Sequence, residues 1–140
     1  MAYDSEGAAA EMQSMQADDV IGQAALLWKI IYRSVHAARE RNPDFIAVRH
    51  EDLSRDPVGG FRDLYEKLGL DFTHKVENTI LNSSSSENPA ELSQKKVHSV
   101  KLDSRANMDN WKKRLTPEEI THIRKLTEDV SHFFYSDHEW

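Results

Sequence analysis

The residues best suited to binding an anion lie in one basic stretch in the C-terminal part of the chain. Residues 92–115 carry seven basic side chains, which are Lys95, Lys96, Lys101, Arg105, Lys112, Lys113 and Arg114. Only two carboxylates, Asp103 and Asp109, lie among them. Guanidinium and ammonium groups are the side chains that bind phosphates, so this stretch suits an anionic ligand. A solvated basic face is the alternative interpretation, because blocks of like charge are often exposed surface.

The seven histidines give little support for a zinc site or a catalytic site. No two of them stand four residues apart, which is the spacing that places two imidazoles of one helix on a zinc ion. His50 and Glu51 are adjacent and could act as an acid–base pair. His50 is, however, predicted to be the last residue of a β-strand, where neighbouring side chains point to opposite faces. The sequence therefore predicts no metal cofactor and no catalytic His–Glu pair.

Composition sets limits on the class of protein. The 140 residues are 39% hydrophobic and 30% charged, which is typical of one soluble globular domain with a modest core. The chain has no cysteine, which excludes disulfides and thiolate metal sites and fits a cytoplasmic location. A net charge of −6 disfavours nucleic-acid binding. The sequence contains no apolar run of about 18 residues, so no membrane span is predicted. No secretory signal is recognisable at the N-terminus.

A long helix is predicted to follow an acidic N-terminal tail. Residues 1–17 are small, polar and acidic without a helical period, so they are predicted to be flexible. The helix should begin at Asp18 or Asp19 and end before Asn42-Pro43, because the residue before a proline disfavours helical angles. Its predicted buried face consists of Val20, Ala24, Leu27, Trp28, Ile31, Val35 and Ala38.

Three further helices are predicted from their cap residues. The starts are Asp56 before Pro57, Thr73, and Thr116 with Glu119 in a capping box. Gly69 is expected to end the first of these in a left-handed conformation. Residues 82–89 are rich in serine and predict a loop. Residues 90–110 show no helical period.

One β-strand is predicted at residues 45–50, where the sequence is short, apolar and partly β-branched. Glu51–Leu53 should leave this strand, and Ser54-Arg55 should continue as a loop. A single strand cannot satisfy its own backbone groups. The chain is therefore mostly helical, or it pairs with another chain, or it belongs to a larger fold. The order helix, strand, helix is typical of a slice through a parallel α/β sheet.

Two blocks of this sequence resemble the sulfotransferase family. The first is Val48–Leu53 with Asp56-Pro57 and Leu68-Gly69-Leu70, and the second is Trp111-Lys112 with Leu115-Thr116. Family members transfer a sulfuryl group from 3′-phosphoadenosine-5′-phosphosulfate (PAPS) to a hydroxyl or amine acceptor. The resemblance, which covers roughly residues 25–135, implies the family's P-loop-type α/β fold. It also implies that residues 18–140 are the C-terminal half of the domain, with mostly helical structure and about one strand.

The resemblance also implies a nucleotide-binding loop at residues 104–112. Cytosolic members have Arg-Lys-Gly-x-x-Gly-Asp-Trp-Lys here, and that loop holds the 3′-phosphate and the adenosine. This chain has Ser-Arg-Ala-Asn-Met-Asp-Asn-Trp-Lys instead. Arg105 is implied as the main contact to PAPS or to 3′-phosphoadenosine 5′-phosphate, with Ser104 and Lys112 beside it. The alternatives are that Arg105 is an ordinary loop residue and that Trp111 is a core residue.

The family's catalytic loop has no counterpart in this sequence. That loop is rich in Gly, Ser and Thr, and the resemblance implies a Lys within it and a His or Glu base nearby. None of the glycines forms such a loop; they are Gly7, Gly22, Gly59, Gly60 and Gly69. We therefore expect these residues to be inactive alone, with weak nucleotide binding, and to need a complementary N-terminal half. The alternative is a non-catalytic interaction or self-association module, with Trp28 and Ile31 on its binding face.

Overall fold

The computed structural model describes residues 5–91 and 101–140, and the regular secondary structure within these ranges is helical. The helices are α1 (Ser5–Ser14), α2 (Val20–Arg41), α3 (His50–Arg55), α4 (Pro57–Lys67), α5 (His74–Ser84), α6 (Ser104–Met108), α7 (Asn110–Arg114), α8 (Pro117–Ser131) and a short 3₁₀ helix (Asp137–Glu139). The chain divides into two units. One comprises residues 1–47 and 115–140, and the other comprises residues 48–114. None of the helices in the described ranges is long and apolar enough to cross a membrane.

Helix α2 has the boundaries that its cap residues predict. The Asp19 carboxylate accepts a hydrogen bond of 2.8 Å from the Gly22 backbone N–H, which satisfies one of the free donors of the first turn. A side chain at position 22 would collide with this carboxylate, because a Cβ would lie 2.2 Å from Asp19 Oδ2. At the other end, the Asn42 N–H donates to the Ala38 carbonyl at 3.0 Å. The predicted start and stop are thus confirmed.

Helix α8 packs against α2 and begins with the predicted capping box. The Thr116 N–H donates to Glu119 Oε2 at 2.7 Å, and the Glu119 N–H donates to Thr116 Oγ1 at 3.2 Å. The buried apolar side chains of this unit are Ala25 and Leu26 on α2 and Val130 on α8. The two helices therefore share one small apolar core.

An aromatic row on α2 extends this core. Trp28 and Tyr32 are stacked, with ring centroids 4.3 Å apart. Tyr32 meets the edge of Phe134 at 5.3 Å, and His36 stacks on Phe133 at 3.7 Å. Spacing of four residues brings these three α2 rings to one side of the helix. The residues after α8 are consequently held along α2.

The predicted buried face of α2 is wrong in part. Val20, Leu27 and Ile31 are 69%, 52% and 49% exposed, whereas the neighbouring Ala25 and Leu26 are buried. Helix α2 carries apolar residues on two sides, and α8 covers one of them. Periodicity identifies an apolar face, but it does not say which of two such faces has a neighbour.

The predicted strand at residues 45–50 is wrong. Residues 45–49 have no regular secondary structure, and His50 begins helix α3. Phe45, Ile46 and Val48 are 40%, 38% and 45% exposed. A strand requires a neighbour for its backbone hydrogen bonds, and the described residues contain no strand that could provide one.

The predicted loop at Ser54-Arg55 is also wrong, since both residues lie in α3. Arg49 has extended angles, with φ −85° and ψ 136°, and stands immediately before this helix. Glu51 and Asp52 occupy the first turn, where carboxylates interact favourably with the positive end of the helix dipole. That pair of acidic residues was the sequence signal for a helix start.

Helix α4 follows the prediction at both ends. The Asp56 carboxylate accepts a hydrogen bond of 3.1 Å from the Gly59 N–H, and Pro57 occupies the first turn. Gly69 adopts φ +66°. Its N–H donates to the Glu66 carbonyl at 3.0 Å, while the Leu70 N–H donates to the Tyr65 carbonyl at 2.9 Å. These two bonds form a Schellman motif, which ends a helix through a left-handed residue.

Four helices depart from the prediction. Helix α1 lies within the segment predicted to be a flexible tail, and α6 and α7 lie where no helix was predicted. Each of α6 and α7 has five residues, which is too short for an apolar period to appear. Helix α5 starts at its predicted cap Thr73, but it continues to Ser84, into the predicted serine loop. The flexibility of residues 1–17 stays a prediction.

Candidate functional site

The candidate nucleotide-binding residues Ser104 and Arg105 are the first two residues of helix α6. Asp103 caps this helix, because its carboxylate accepts a 3.0 Å hydrogen bond from the Ala106 N–H. The segment before the helix is fixed by two backbone bonds. The Leu102 N–H donates to the Ser83 carbonyl at 2.9 Å, and the Asp103 N–H donates to the Pro89 carbonyl at 3.0 Å. The start of α6 is therefore anchored to the end of α5 and to the turn that follows it.

Side chains of α6 satisfy the backbone at the end of α3. Ser104 Oγ donates to the Ser54 carbonyl at 3.0 Å and has a longer contact of 3.5 Å with the Ser84 carbonyl. Arg105 Nε donates to the Arg55 carbonyl at 2.7 Å. The last carbonyls of a helix have no partner within the helix, so α6 supplies what α3 lacks. These bonds join residues that are 50 positions apart in sequence.

This arrangement changes what Ser104 can contribute. Its hydroxyl has one proton to donate, and that proton is directed to a carbonyl oxygen of α3 or α5. In the structure, the Ser104 hydroxyl thus links α6 to the ends of α3 and α5. A contact between Ser104 and the nucleotide stays a prediction.

Arg105 keeps most of its donors. A guanidinium group has five N–H bonds, and within the part of the chain that the structure describes only Nε has a hydrogen-bond partner. The side chain is exposed. Arg105 therefore has two terminal amino groups available to a ligand in a guanidinium group that is already fixed at Nε.

Among the described residues, Lys112 forms no hydrogen bond or ion pair with Ser104 or Arg105. It lies in helix α7, and its Nζ atom is 3.4 Å from Asp109 Oδ1. The same Nζ atom lies 5.4 Å from the ring centroid of Trp111. An anion would compete with the Asp109 carboxylate for this ammonium group. Trp111 is half-buried.

Charged side chains in helix α3 and immediately before it interact with one another, and none of them was a predicted site residue. Arg49 donates two hydrogen bonds to the Asp52 carboxylate, at 2.8 and 2.7 Å. Arg55 Nη1 donates to Asp52 Oδ1 at 3.2 Å. Asp52 thus shares its negative charge between two guanidinium groups. Because residues 54 and 55 were predicted to be a loop, their contact with residues 104 and 105 was not foreseen.

The other candidate chemistry gains no support from geometry. His50 and Glu51 stand in the first turn of α3, and the near neighbour of the His50 ring is Ser54 Oγ at 3.4 Å. Ser54 is 4% exposed, whereas His50 is exposed to solvent. Across residues 5–91 and 101–140, no three His, Asp or Glu side chains converge as metal ligands.

Comparison with known proteins identifies the family. The family model for the sulfotransferase domain matches residues 11–134, and the chain belongs to this family. This confirms the resemblance drawn from the two sequence blocks. Carbohydrate sulfotransferase 1 of Danio rerio is 28% identical over 86 residues, which are 61% of this chain and 20% of that protein. The chain therefore spans about a fifth of the length of this curated relative. No solved structure matches the chain.

Proposed function

We propose that these residues form the C-terminal part of a PAPS-dependent sulfotransferase domain and contribute the contact to the nucleotide 3′-phosphate. The main support for this proposal is the hydrogen bonding of the Arg105 guanidinium group. Its Nε atom is fixed on the Arg55 carbonyl at 2.7 Å, and its terminal amino groups have no partner within the described residues. A guanidinium group can place two parallel hydrogen bonds on a phosphate.

The three candidate residues would contribute differently to nucleotide binding. PAPS supplies the activated sulfuryl group in this family, and Arg105 would hold its 3′-phosphate. Ser104 would keep α6 against α3, because its hydroxyl is bound to the Ser54 carbonyl. Lys112 would add positive charge only after separating from Asp109. The proposed site thus depends mainly on one arginine and on the helix pair that positions it.

Sulfuryl transfer requires groups that these residues do not contain. We propose that the glycine-rich loop and the base come from a further part of the domain, in the same polypeptide or in a second one. These residues alone would then bind nucleotide weakly and would not transfer sulfuryl. The family match and the 20% share of the curated relative support this view. The α/β fold would belong to the complete domain.

We propose that this further part packs on the exposed apolar side of α2. Val20, Leu27 and Ile31 stand seven and four residues apart, so they share one face of the helix. Phe45 and Ile46 of the same unit are exposed as well. Exposed apolar surface of this kind usually marks an interaction site. A neighbouring strand in that part would also supply the hydrogen bonds that residues 45–49 need to become a strand.

Ligand titration tests the nucleotide contact. The protein is titrated with adenosine 3′,5′-bisphosphate, which is 3′-phosphoadenosine 5′-phosphate, and its melting temperature is followed. Binding to the folded state raises this temperature. We expect a rise for the native chain and for Arg39→Gln, whose arginine is exposed on α2 without a partner in the described residues. Arg105→Gln should lose the rise. No rise at roughly millimolar ligand in the native chain would refute the proposal.

A second candidate function is a non-catalytic interaction module. It is favoured by the same exposed row of Val20, Leu27 and Ile31, which a second copy of α2 could cover. This function predicts a stable oligomer together with no response to the nucleotide. Light scattering over a range of protein concentrations distinguishes it, because the sulfotransferase proposal does not need such an oligomer.

A further inference from the structure

Helix α2 carries a regular stripe of small and apolar residues on the side that α8 does not cover. Its six members follow one another at spacings of four, three, four, three and four residues, and they are Val20, Ala24, Leu27, Ile31, Ser34 and Ala38. The first five are exposed, and the last is half-buried. Alternating spacings of this kind give a period of about 3.5 residues, which is the pattern of a helix in a coiled coil. We call this stripe the α2 seam.

The α2 seam is free to bind a further helix while α8 stays in place. Leu26 is buried, and Arg33 is paired with Asp129 of α8. An α-helix has about 3.6 residues per turn, which places the middle of the seam, between Leu27 and Ile31, about a third of a turn from these residues. One helix can therefore occupy each side of α2.

Two copies of the α2 seam match each other when the helices run in opposite directions. The facing pairs are then Leu27 with Ile31, Ala24 with Ser34, and Val20 with Ala38. Each pair joins the two alternating positions of the repeat, so the same register holds along the whole seam. Both copies contribute the same surface, which is the property of a two-fold symmetric contact.

Ser34, the polar residue of the seam, can be buried in this contact without losing a hydrogen bond. Its Oγ atom donates to the Ile30 carbonyl of the same helix at 3.1 Å. A buried hydroxyl is costly mainly when it has no partner. Ser34 and the facing Ala24 are also small, so the two helices can approach each other closely at this point.

The charges at the two ends of α2 favour the same orientation. Asp18 and Asp19 stand immediately before the helix, whereas Arg39 and Arg41 lie in its last turn. Glu40 between them leaves the last turn with a net positive charge. Antiparallel pairing brings the acidic end of one copy to the basic end of the other and opposes the two helix dipoles. Parallel pairing would place like charges together.

We propose that the α2 seam binds a second copy of this chain in an antiparallel pair, with Leu27 and Ile31 at its centre. This inference goes beyond the proposed nucleotide contact and does not depend on it. The further part of the domain would pack on the same side of α2 and displace the second copy, so the pair is the state of the chain without that part. One helix per copy makes a small interface, and we expect a dissociation constant of roughly 10–100 µM.

Sedimentation equilibrium of the full chain tests the pair. We expect a monomer at about 1 µM and mostly dimer near about 1 mM. Leu27→Glu should raise the dissociation constant by about 100-fold or more, because it buries one unpaired charge from each copy. Leu81→Glu is the matched control and should have little effect, since Leu81 is 50% exposed and Leu27 is 52% exposed, but Leu81 lies on α5.

Circular dichroism verifies the fold of each variant, and Ile31→Glu replaces Leu27→Glu if the latter does not fold. A native chain that stays monomeric near about 1 mM would refute the pair. So would a dimer that Leu27→Glu and Leu81→Glu weaken equally or leave intact.

Cysteine cross-linking tests the orientation, because the native chain contains no cysteine. Val20→Cys and Ala38→Cys are prepared as separate proteins and mixed under oxidising conditions. Antiparallel pairing places these two positions opposite each other, so the mixture should form a disulfide-linked dimer. Val20→Cys alone should not, because its two thiols would lie about 27 Å apart along the helix axes. Cross-linking of Val20→Cys with itself, or no cross-link in the mixture, would overturn the antiparallel pair.

Nucleotide binding separates this inference from the proposed function. Leu27 and Arg105 belong to different units of the chain, so Leu27→Glu should keep the rise in melting temperature with adenosine 3′,5′-bisphosphate. If the chain dimerises through α2 and the nucleotide has no effect, the pair stands and the proposed function fails. If the nucleotide raises the melting temperature of a chain that never dimerises, the pair fails and the proposed function stands.

Discussion

Arg33 on α2 and Asp129 on α8 form an ion pair of 2.6 Å between residues 96 positions apart in sequence. Lys29, one turn before Arg33, lies 3.4 Å from the other oxygen of the same carboxylate. One acidic side chain of α8 is therefore bound by two basic side chains of α2. This small network lies on the surface beside the core of Ala25, Leu26 and Val130.

Removing the charge of Asp129 should weaken the contact between α2 and α8 slightly. We expect Asp129→Asn to lower the free energy of unfolding by about 0.5–1 kcal/mol, because the pair is roughly half exposed and screened by water. Urea denaturation measures this change, and added salt should reduce it. Glu128→Gln, an exposed neighbour, is the control and should have a smaller effect. An equal loss in both variants would show that the network contributes nothing.

Gly69 should resist replacement for a reason of conformation alone. A Cβ at this position would contact nothing within 4 Å, but the backbone has φ +66°. We expect Gly69→Ala to destabilise the fold by about 1 kcal/mol, since left-handed angles are unfavourable for residues with a Cβ. Thermal unfolding followed by circular dichroism measures this. Gly69→Asn should be milder, because Asn tolerates this region better, and identical losses would contradict the explanation.

Two adjacent glutamates at the start of α8 should differ in their effect on stability. Glu119 accepts the 2.7 Å hydrogen bond from the Thr116 N–H, and Glu118 has no such bond. Both carboxylates interact with the same helix dipole, so that contribution is similar in the two alanine variants. We expect Glu119→Ala to be less stable than Glu118→Ala by about 0.5–1 kcal/mol in chemical denaturation. Equal stability would mean that the capping box adds nothing beyond the dipole.

Two adjacent leucines on α2 should show which side of this helix is covered. Leu26 is 4% exposed and Leu27 is 52% exposed. We expect Leu26→Ala to cost about 2–4 kcal/mol of stability, because it leaves a cavity, and Leu27→Ala to cost less than about 1 kcal/mol. Denaturation at two protein concentrations makes the comparison. A large cost for Leu27→Ala that grows with concentration would show that a second copy covers this face.

The helix boundaries that were predicted correctly depend on neighbours close in sequence. Asp19, Asp56, Thr73 and Thr116 each bond to a backbone N–H three residues later. Such a bond is decided by the cap residue and one turn of chain. This is why cap residues predicted the starts of α2, α4, α5 and α8.

The errors concern features that depend on distant parts of the chain. Residues 45–50 have the composition of a buried strand, but a strand forms only where a neighbouring strand is present. The side of α2 that is buried depends on where α8 lies. Helix α6 has five residues, and its contacts with α3 determine its position. None of these features can be predicted from the neighbouring sequence alone.

Arg105 was predicted as a candidate residue, but its contact with α3 was not. Arg105 came from the family resemblance, which aligns a motif within a few residues of chain. Arg55 stands 50 positions earlier and has no motif of its own, and it meets Arg105 only after α3 and α6 pack together. A prediction of that contact would have required the pairing of two short helices.

The bonds between α6 and α3 end on main-chain oxygens, which every amino acid possesses. Ser104 and Arg105 contact the carbonyls of residues 54 and 55 and not their side chains. Mutation of position 55 therefore leaves the acceptor in place, and relatives of this protein are free to vary that residue without separating the two helices. The bond between Arg105 and residue 55 therefore places no requirement on the side chain at that position.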